Sequence, residues 1–314
     1  MTNALVTFPI KEQFRQSLSE QFPQIHFDFA NTIEDAGGKE VTILVTYGSD
    51  LTEEILDQLT DLKWVMVASA GVDKMPLEKL GERGILVTNV SGIHKTPMAE
   101  SVLAHILSLN RALPIIQAQQ KQKVWEKMKS SELRGSKALI LGPGAIGGEI
   151  GRLLQAFGVY TIGCSRSGGV HNGMDEDISF AHIQEYLPEA DYIISVLPST
   201  QETRWILERS HFQLMKKSAV FMNFGRGDLV KEQVIVEALQ QGEIAHAVLD
   251  VFQQEPLPLE SPLWEMENCT VSPHVSALSA KYVERALEIF NENLQVWLSD
   301  NKEFKNVIET ERGY

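Results

Sequence analysis

The sequence predicts an α/β protein built from two parallel sheets, each flanked by helices. Three observations predict it. Short apolar runs rich in β-branched residues alternate with helically periodic segments along the chain. Those runs are close to continuous in apolar character, as strands covered on both faces are. A glycine-rich segment in mid-chain, KALILGPGAIGGEIG (Lys137–Gly151), opens a second alternating block after a long helical stretch. The length of 314 residues suits about two domains at roughly 150 residues each.

In the first third, Leu5–Phe8, Val41–Tyr47, Trp64–Ser69 and Ile85–Asn89 read as buried strands, and Lys11–Gln21, Thr52–Leu59 and Pro76–Glu82 as the helices between them. A long helix is predicted from about Pro97 to Gln119. Pro97 fits a first-turn position, where its missing N–H costs nothing. Ala99, Val102, Leu103, Ile106, Leu107 and Leu109 form one apolar face, and Pro114 kinks or splits the helix. The polar stretch QAQQKQKVWEKMKSSELRGS then reads as a solvated surface segment. In the second block, KALIL, VYTIGCS, DYIISVL, AVFMNF, AHAVLDVF and CTVSP are strand candidates. Helices are predicted at Ile146–Phe157, Ile183–Tyr186, Arg209–Gln213 and Lys231–Gln241. The last helix, Ser279–Leu298, carries Val283, Ala286, Leu287, Phe290, Leu294 and Trp297 at helical spacing.

Composition narrows the function classes. Lys plus Arg total 28 and Asp plus Glu 42, a formal charge of −14. So acidic a surface repels phosphate backbones and anionic lipid, which argues against nucleic-acid and membrane partners. The two cysteines, Cys164 and Cys269, have no CxxC spacing, so neither a zinc knuckle nor a dithiol site is expected, and no metal. The start, MTNALVTFPIKEQF, lacks a basic stretch followed by an apolar one, and no apolar run approaches the roughly 20 residues of a membrane span. A cytoplasmic protein is expected.

The chemistry concentrates in four segments. Gly142, Gly144 and Gly147 form G-x-G-x-x-G directly after a strand and before an amphipathic helix, with another strand following, which is the setting that makes this pattern specific for a dinucleotide. Gly142 permits the tight turn, Gly144 admits a diphosphate, and Gly147 lets the helix pack on the strand. The next strand ends in Ser165, Arg166 and Ser167, where binding of an unphosphorylated ribose favours a carboxylate. Two hydroxyls and a guanidinium suit a 2′-phosphate, so NADP(H) is preferred, with NAD(H) possible. Three later strand ends, NFGRGDLV, LDVFQQEPLP and VSPHVSALS, carry Arg226, Asp250, Glu255 and His274. Arginine suits bidentate carboxylate binding, and histidine backed by a carboxylate suits proton transfer.

These segments, with SAGVD at Ser69–Asp73, occur in the order and approximate spacing of the D-isomer-specific 2-hydroxyacid dehydrogenases, and the chain resembles that family over nearly its whole length. The resemblance implies two Rossmann-like doubly wound domains with a cleft between them, of the formate/glycerate dehydrogenase kind. It divides the chain into a substrate domain at 1–96, a dinucleotide domain at 97–280, and a return to the substrate domain at 281–314. It implies Arg226 as substrate-binding arginine, Glu255 and His274 as a catalytic pair, and Ala70, Gly71 and Val72 as carboxylate-binding amides. Ala145 and Ile146 fall on diphosphate contacts, Leu197 and Pro198 on the loop over the cofactor, and Phe224, Gly225 and Asp250 on nicotinamide-side contacts. The activity implied is reduction of a small 2-oxo acid to a D-2-hydroxy acid by a homodimer, its arm formed by the segment after Pro97. Ser165 departs from the aspartate of NAD-using members and resembles the NADPH-using glyoxylate/hydroxypyruvate reductases. The alternatives are an NAD-dependent phosphoglycerate or D-lactate dehydrogenase, and a dinucleotide-gated corepressor without catalysis. His94 reads as structural or solvent-facing, His105 as a packing residue, Trp125 and Trp264 as core or interface aromatics, and Cys164 as an inert buried thiol.

Overall fold

The computed structural model describes residues 2–36, 40–69, 71–72, 75–299 and 302–310. The chain forms two compact units, one from Met1–Ile93 with Ser279–Tyr314, the other from His94–Leu278.

The first unit holds a five-stranded sheet of β1 (Thr2–Val6), β2 (Ile25–Phe29), β3 (Ile43–Thr46), β4 (Trp64–Val67) and β5 (Leu86–Asn89). All pairings are parallel, in the order β2-β1-β3-β4-β5. The strands divide their side chains by the two-residue period: Ala4, Val6, Ile43, Val45, Trp64 and Met66 join one core, while Leu5, Leu44, Val65 and Val67 join the other. Helices α1 (Glu12–Gln21), α2 (Glu53–Gln58) and α3 (Leu77–Glu82) connect the strands. The remote helix α10 (Tyr282–Trp297) packs Ala286, Leu287, Phe290 and Leu294 into the first of these cores. Trp64 receives the rings of Phe290 and Trp297, each at 5.6 Å, and its indole N–H donates to Thr88 Oγ1 at 2.9 Å.

The second unit opens with two helices. The predicted Pro97–Gln119 helix is divided into α4 (Lys95–Asn110) and α5 (Leu113–Gln122). The break lies at Ala112, which adopts φ 52°, and Pro114 follows inside the first turn of α5, where proline is tolerated. Seven parallel strands follow: β6 (Lys137–Leu141), β7 (Tyr160–Ser165), β8 (Glu176–Ser179), β9 (Tyr192–Ser195), β10 (Val220–Asn223), β11 (His246–Leu249) and β12 (Cys269–Val271). Their order is β12-β11-β10-β9-β6-β7-β8. The chain builds outward from β6 to β7 and β8, then crosses to β9 on the other flank, so β6 is the point where the winding reverses. Helices α6 (Ala145–Ala156), α7 (Ile183–Tyr186), α8 (Arg209–Leu214) and α9 (Glu232–Gln240) make the connections.

Two strands, β2 and β8, lie outside the sequence expectations. Both are sheet edges, and their sequences IHFDF and EDIS are only partly buried, so the continuous apolar run that marks a central strand is missing. Trp125 is 98% exposed, which excludes a place in the core. Trp264 is half-exposed, its indole N–H donating to the Pro258 carbonyl. Among the described residues, no helix is long and apolar enough to cross a membrane, and no group of three or more metal-ligating side chains is present.

His246 on β11 offers a test of this packing. Burial above all, with the nearby His105, lowers its pKa from 6.5 to about 4, and its Nε2 lies 2.9 Å from Thr270 Oγ1. Between these two values the unfolded chain binds the proton that the folded chain refuses. Stability therefore falls as pH drops through that window, by up to roughly 3 kcal/mol from this one group. In urea unfolding, His246→Gln should show a flatter loss of stability than the wild-type chain over that range.

Candidate functional site

The glycine-rich turn is built at the carboxyl end of β6. Gly142 sits at φ 93°, a left-handed conformation that glycine adopts without strain, and its N–H donates to the Cys164 carbonyl of β7. A Cβ on Gly147 would stand 2.3 Å from the Gly142 carbonyl oxygen, so only glycine lets α6 approach the turn this closely. At Gly144, the N-cap of α6, a Cβ would meet nothing within 4 Å. No side chain caps α6. The first-turn N–H groups, from Ala145 onward, are thus left without a side-chain cap at the positive end of a 12-residue helix. These features fit a diphosphate, and with it a dinucleotide.

The neighbouring strand ends surround this turn. Leu197, just past β9, is the nearest neighbour for a Cβ on Gly142, at 3.2 Å, and its backbone closes on Gly225, where a Cβ would lie 2.4 Å from the Leu197 carbonyl oxygen. Gly142, Leu197 and Gly225 are therefore brought together from β6, β9 and β10. Ser165 ends β7, and its Oγ accepts from the Gly168 N–H. Arg166 and Ser167 are exposed, and the Arg166 guanidinium donates to Glu202 Oε2 at 3.0 Å. Pro198 is exposed, and its carbonyl accepts from the Thr203 hydroxyl. Phe224 is buried against the α4 face, with His105 packed on its ring at 5.9 Å, which bears out the packing role expected of His105. Burial pushes the Cys164 thiol up to about 12, as an inert buried cysteine requires.

The loop after β10 presents Arg226. Asn223, buried at the strand end, shapes it: its amide donates to the Arg226 carbonyl at 2.9 Å and its Oδ1 accepts from Gly225 N–H. The Arg226 side chain returns to the Gly225 carbonyl at 2.8 Å and is otherwise exposed. His94, at the start of α4, feels Arg226. Burial lowers the imidazole's pKa, a hydrogen bond to the Ala277 backbone opposes that, and the Arg226 charge lowers it further.

His274 and Glu255 form a pair, with Nδ1 to Oε2 at 2.7 Å. Glu255 is itself oriented, its Oε1 accepting from the Phe252 N–H at 3.0 Å. His274 stands at φ 53° in a turn held from below by Asp250. That carboxylate is fully buried and accepts from the Ser272 hydroxyl at 2.5 Å and from the Val275 and Ser276 N–H groups at 3.0 and 3.1 Å. Asp250 is thus the organiser of the histidine loop, a role the sequence reading did not give it. Nor did that reading single out Asn223 or Glu202. An Asn before a glycine turn and a Ser two residues before the His are the signals in the sequence.

In the first unit, Gly71 is exposed and Val72 buried, and the Gly71 carbonyl accepts from Ser69 Oγ at 2.7 Å. Tyr47, Ser49, Ser69, Gly71, Val72 and Met75 line a cavity of about 320 Å³. Ala70 and Asp73 lie outside the described residues.

Residues 103–276 match the model of the D-isomer specific 2-hydroxyacid dehydrogenase NAD-binding domain, more than half of the chain. The chain belongs to this family. It is 30% identical over 308 residues to a D-3-phosphoglycerate dehydrogenase of Methanocaldococcus jannaschii, covering 94% of this chain and 57% of that one. It therefore spans little more than half the length of that relative. A D-isomer specific 2-hydroxyacid dehydrogenase family protein of Aeromonas salmonicida superposes with TM-score 0.86 at 33% identity, covering 98% and 99% of the two chains. An NADPH-dependent glyoxylate/hydroxypyruvate reductase of Sinorhizobium meliloti, solved with NADP and sulfate, superposes with TM-score 0.79 at 27% identity over the whole of both chains. The family supports a nicotinamide dinucleotide as the cofactor.

Removing the Asp250 carboxylate should free the His274 turn. Asp250→Ala leaves three donors without their acceptor, at a cost of about 3 kcal/mol or more. Urea unfolding should show that loss, and hydrogen exchange should accelerate at the Val275 and Ser276 amides with little change at those of β6.

Proposed function

We propose that this protein reduces a small 2-oxo acid to the D-2-hydroxy acid, with NADP(H) as its preferred cofactor, in the manner of a glyoxylate/hydroxypyruvate reductase. The observation that carries the reading is the His274–Glu255 pair at 2.7 Å, set at the carboxyl end of the same parallel sheet as the glycine turn. Ligands of open α/β sheets bind at that end, beside the point where the winding reverses.

The α6 N-terminus with Gly144, Ala145 and Ile146 would hold the diphosphate, and Ser165, Arg166 and Ser167 the adenosine ribose. Leu197, Pro198, Phe224 and Gly225 would enclose the nicotinamide end, with Asp250 behind them. When bound, the reduced nicotinamide supplies the hydride that adds to the carbonyl carbon. Arg226 binds the 2-oxo acid's carboxylate and polarises its keto oxygen. Because Glu255 occupies His274 Nδ1, Nε2 is the atom that gives the proton to the oxygen. Glu255 also fixes the ring plane and complements its charge.

The cofactor preference rests on Ser165 and Arg166: no carboxylate ends β7, and a guanidinium stands next to it. His274→Ala should lower kcat for glyoxylate or hydroxypyruvate reduction by at least a hundredfold while cofactor binding persists. Undiminished turnover would remove the proton-donor assignment. A panel of 2-oxo acids with NADPH and with NADH decides the substrate and the cofactor, and a higher kcat/KM with NADH would favour an NAD-dependent member.

We also propose a homodimer acting in the cytoplasm. Helix α5 buries none of its residues, and it exposes Leu113, Ile115 and Ile116 beside Val124 and the fully exposed Trp125. Such a patch suits a partner surface better than water. Light scattering should give a dimer mass for the wild-type chain and a monomer mass for Ile116→Asp combined with Trp125→Ser.

A further inference from the structure

We infer that Glu202 is a specificity-determining residue of the dinucleotide site, competing with a 2′-phosphate for Arg166 and so setting the margin of NADP(H) over NAD(H). The inference rests on the cofactor reading above and adds to it a second residue, on a different loop.

The topology places the pair. Strands β7 and β9 lie on opposite flanks of β6. With neighbouring strands about 4.8 Å apart, their ends are separated by roughly 10 Å. Arg166 directly follows β7 and Glu202 belongs to the loop after β9, so their 3.0 Å ion pair links the two flanks of the glycine turn that follows β6. A dinucleotide lying on that turn meets both side chains.

Glu202 sits in a stiff turn. The Thr200 N–H donates to Thr203 Oγ1 at 2.8 Å, the Thr203 N–H donates to Thr200 Oγ1 at 3.2 Å, and Thr203 Oγ1 also donates to the Pro198 carbonyl at 2.6 Å. The turn is moored on Asp228, which accepts from Ser199 Oγ at 2.6 Å and from Arg204 Nε at 3.0 Å. The Arg166 side chain is 78% exposed and reaches its partner at the end of a long flexible stem. The Glu202 side chain is itself 67% exposed, so what the turn holds is its backbone, from which the carboxylate reaches Arg166.

Such an exposed pair is weak and opens readily. A 2′-phosphate, with more charge and three acceptor oxygens, displaces the carboxylate from Arg166, but it does so against Glu202's negative charge. A 2′-hydroxyl has no such conflict. Glu202 therefore penalises the phosphorylated cofactor selectively, and the net preference is the attraction of Arg166 less the cost of taking it from Glu202.

Calorimetric titration of the whole chain with NADPH, NADH and 2′-phospho-ADP-ribose tests this without turnover. Glu202→Gln should tighten NADPH and 2′-phospho-ADP-ribose by about two- to fivefold at low ionic strength, the range that an exposed ion pair permits. The effect should shrink with added salt, and NADH should stay within about twofold. In an Arg166→Ala background the gain should be smaller, because the part that comes from competition for the guanidinium is gone. Equal melting temperatures would show that the fold is unchanged. A wild-type chain that prefers NADPH, with Glu202→Gln leaving its affinity unaltered or shifting both cofactors alike, overturns the role of Glu202 and leaves the cofactor reading standing. A wild-type chain that binds NADH more tightly overturns the cofactor reading itself, and this inference with it.

Discussion

The buried carboxylate of Asp250 is the interaction on which the histidine loop depends. A charge with no solvent contact is unstable unless it is fully hydrogen-bonded. Here the Ser272 hydroxyl and the Val275 and Ser276 N–H groups meet that demand, and in doing so they fix the backbone on both sides of His274. The loop can then hold His274 at a positive φ, a conformation uncommon for any residue but glycine. The ring is thereby aimed at Glu255, which is oriented in turn by the Phe252 N–H. From the other side, α4 reaches the same loop, with Ser101 Oγ donating to the Ser276 carbonyl and His94 bonded to the Ala277 backbone.

A similar economy of contacts builds the glycine turn. Gly147 brings α6 onto β6, Gly142 turns the chain under Leu197, and Gly225 lets the β10 end approach Leu197 from the other flank. Each position excludes a side chain for a different steric reason, and together they leave the start of α6 open where Gly144 stands. This local geometry also reconciles an acidic protein with a polyanionic cofactor. A net charge of −14 is spread over the whole surface, whereas the α6 N-terminus and Arg166 act within a few ångströms.

Central strands were legible because they are buried on both faces. Val220–Asn223 and Ile43–Thr46 are buried along their whole length, and a short apolar run records that directly. The edge strands Ile25–Phe29 and Glu176–Ser179 escaped, since most of their residues are only partly buried and polar residues interrupt the apolar run. The helix boundary near Pro114 was legible as a break but not as to place: the left-handed residue is Ala112, a choice that nothing in its side chain announces. Among site residues, glycines and the Arg226, Glu255 and His274 set stood out by chemistry and spacing. Asn223 and Glu202 did not, because their roles lie in contacts with residues or turns that only folding brings near.

The sequence by itself determined the α/β class, the dinucleotide turn and the residues we propose for proton transfer, because these depend on local spacing and on residue chemistry. Only the tertiary structure decided that β6 is flanked by β7 and β9, that Asp250 serves the histidine loop rather than standing free, and that Arg166 is already engaged by a carboxylate 36 residues away. The physical reason is the same in each case. Hydrogen bonds and ion pairs act over about 3 Å in space and are indifferent to separation along the chain, so their partners are settled by how strands are ordered and how loops are moored.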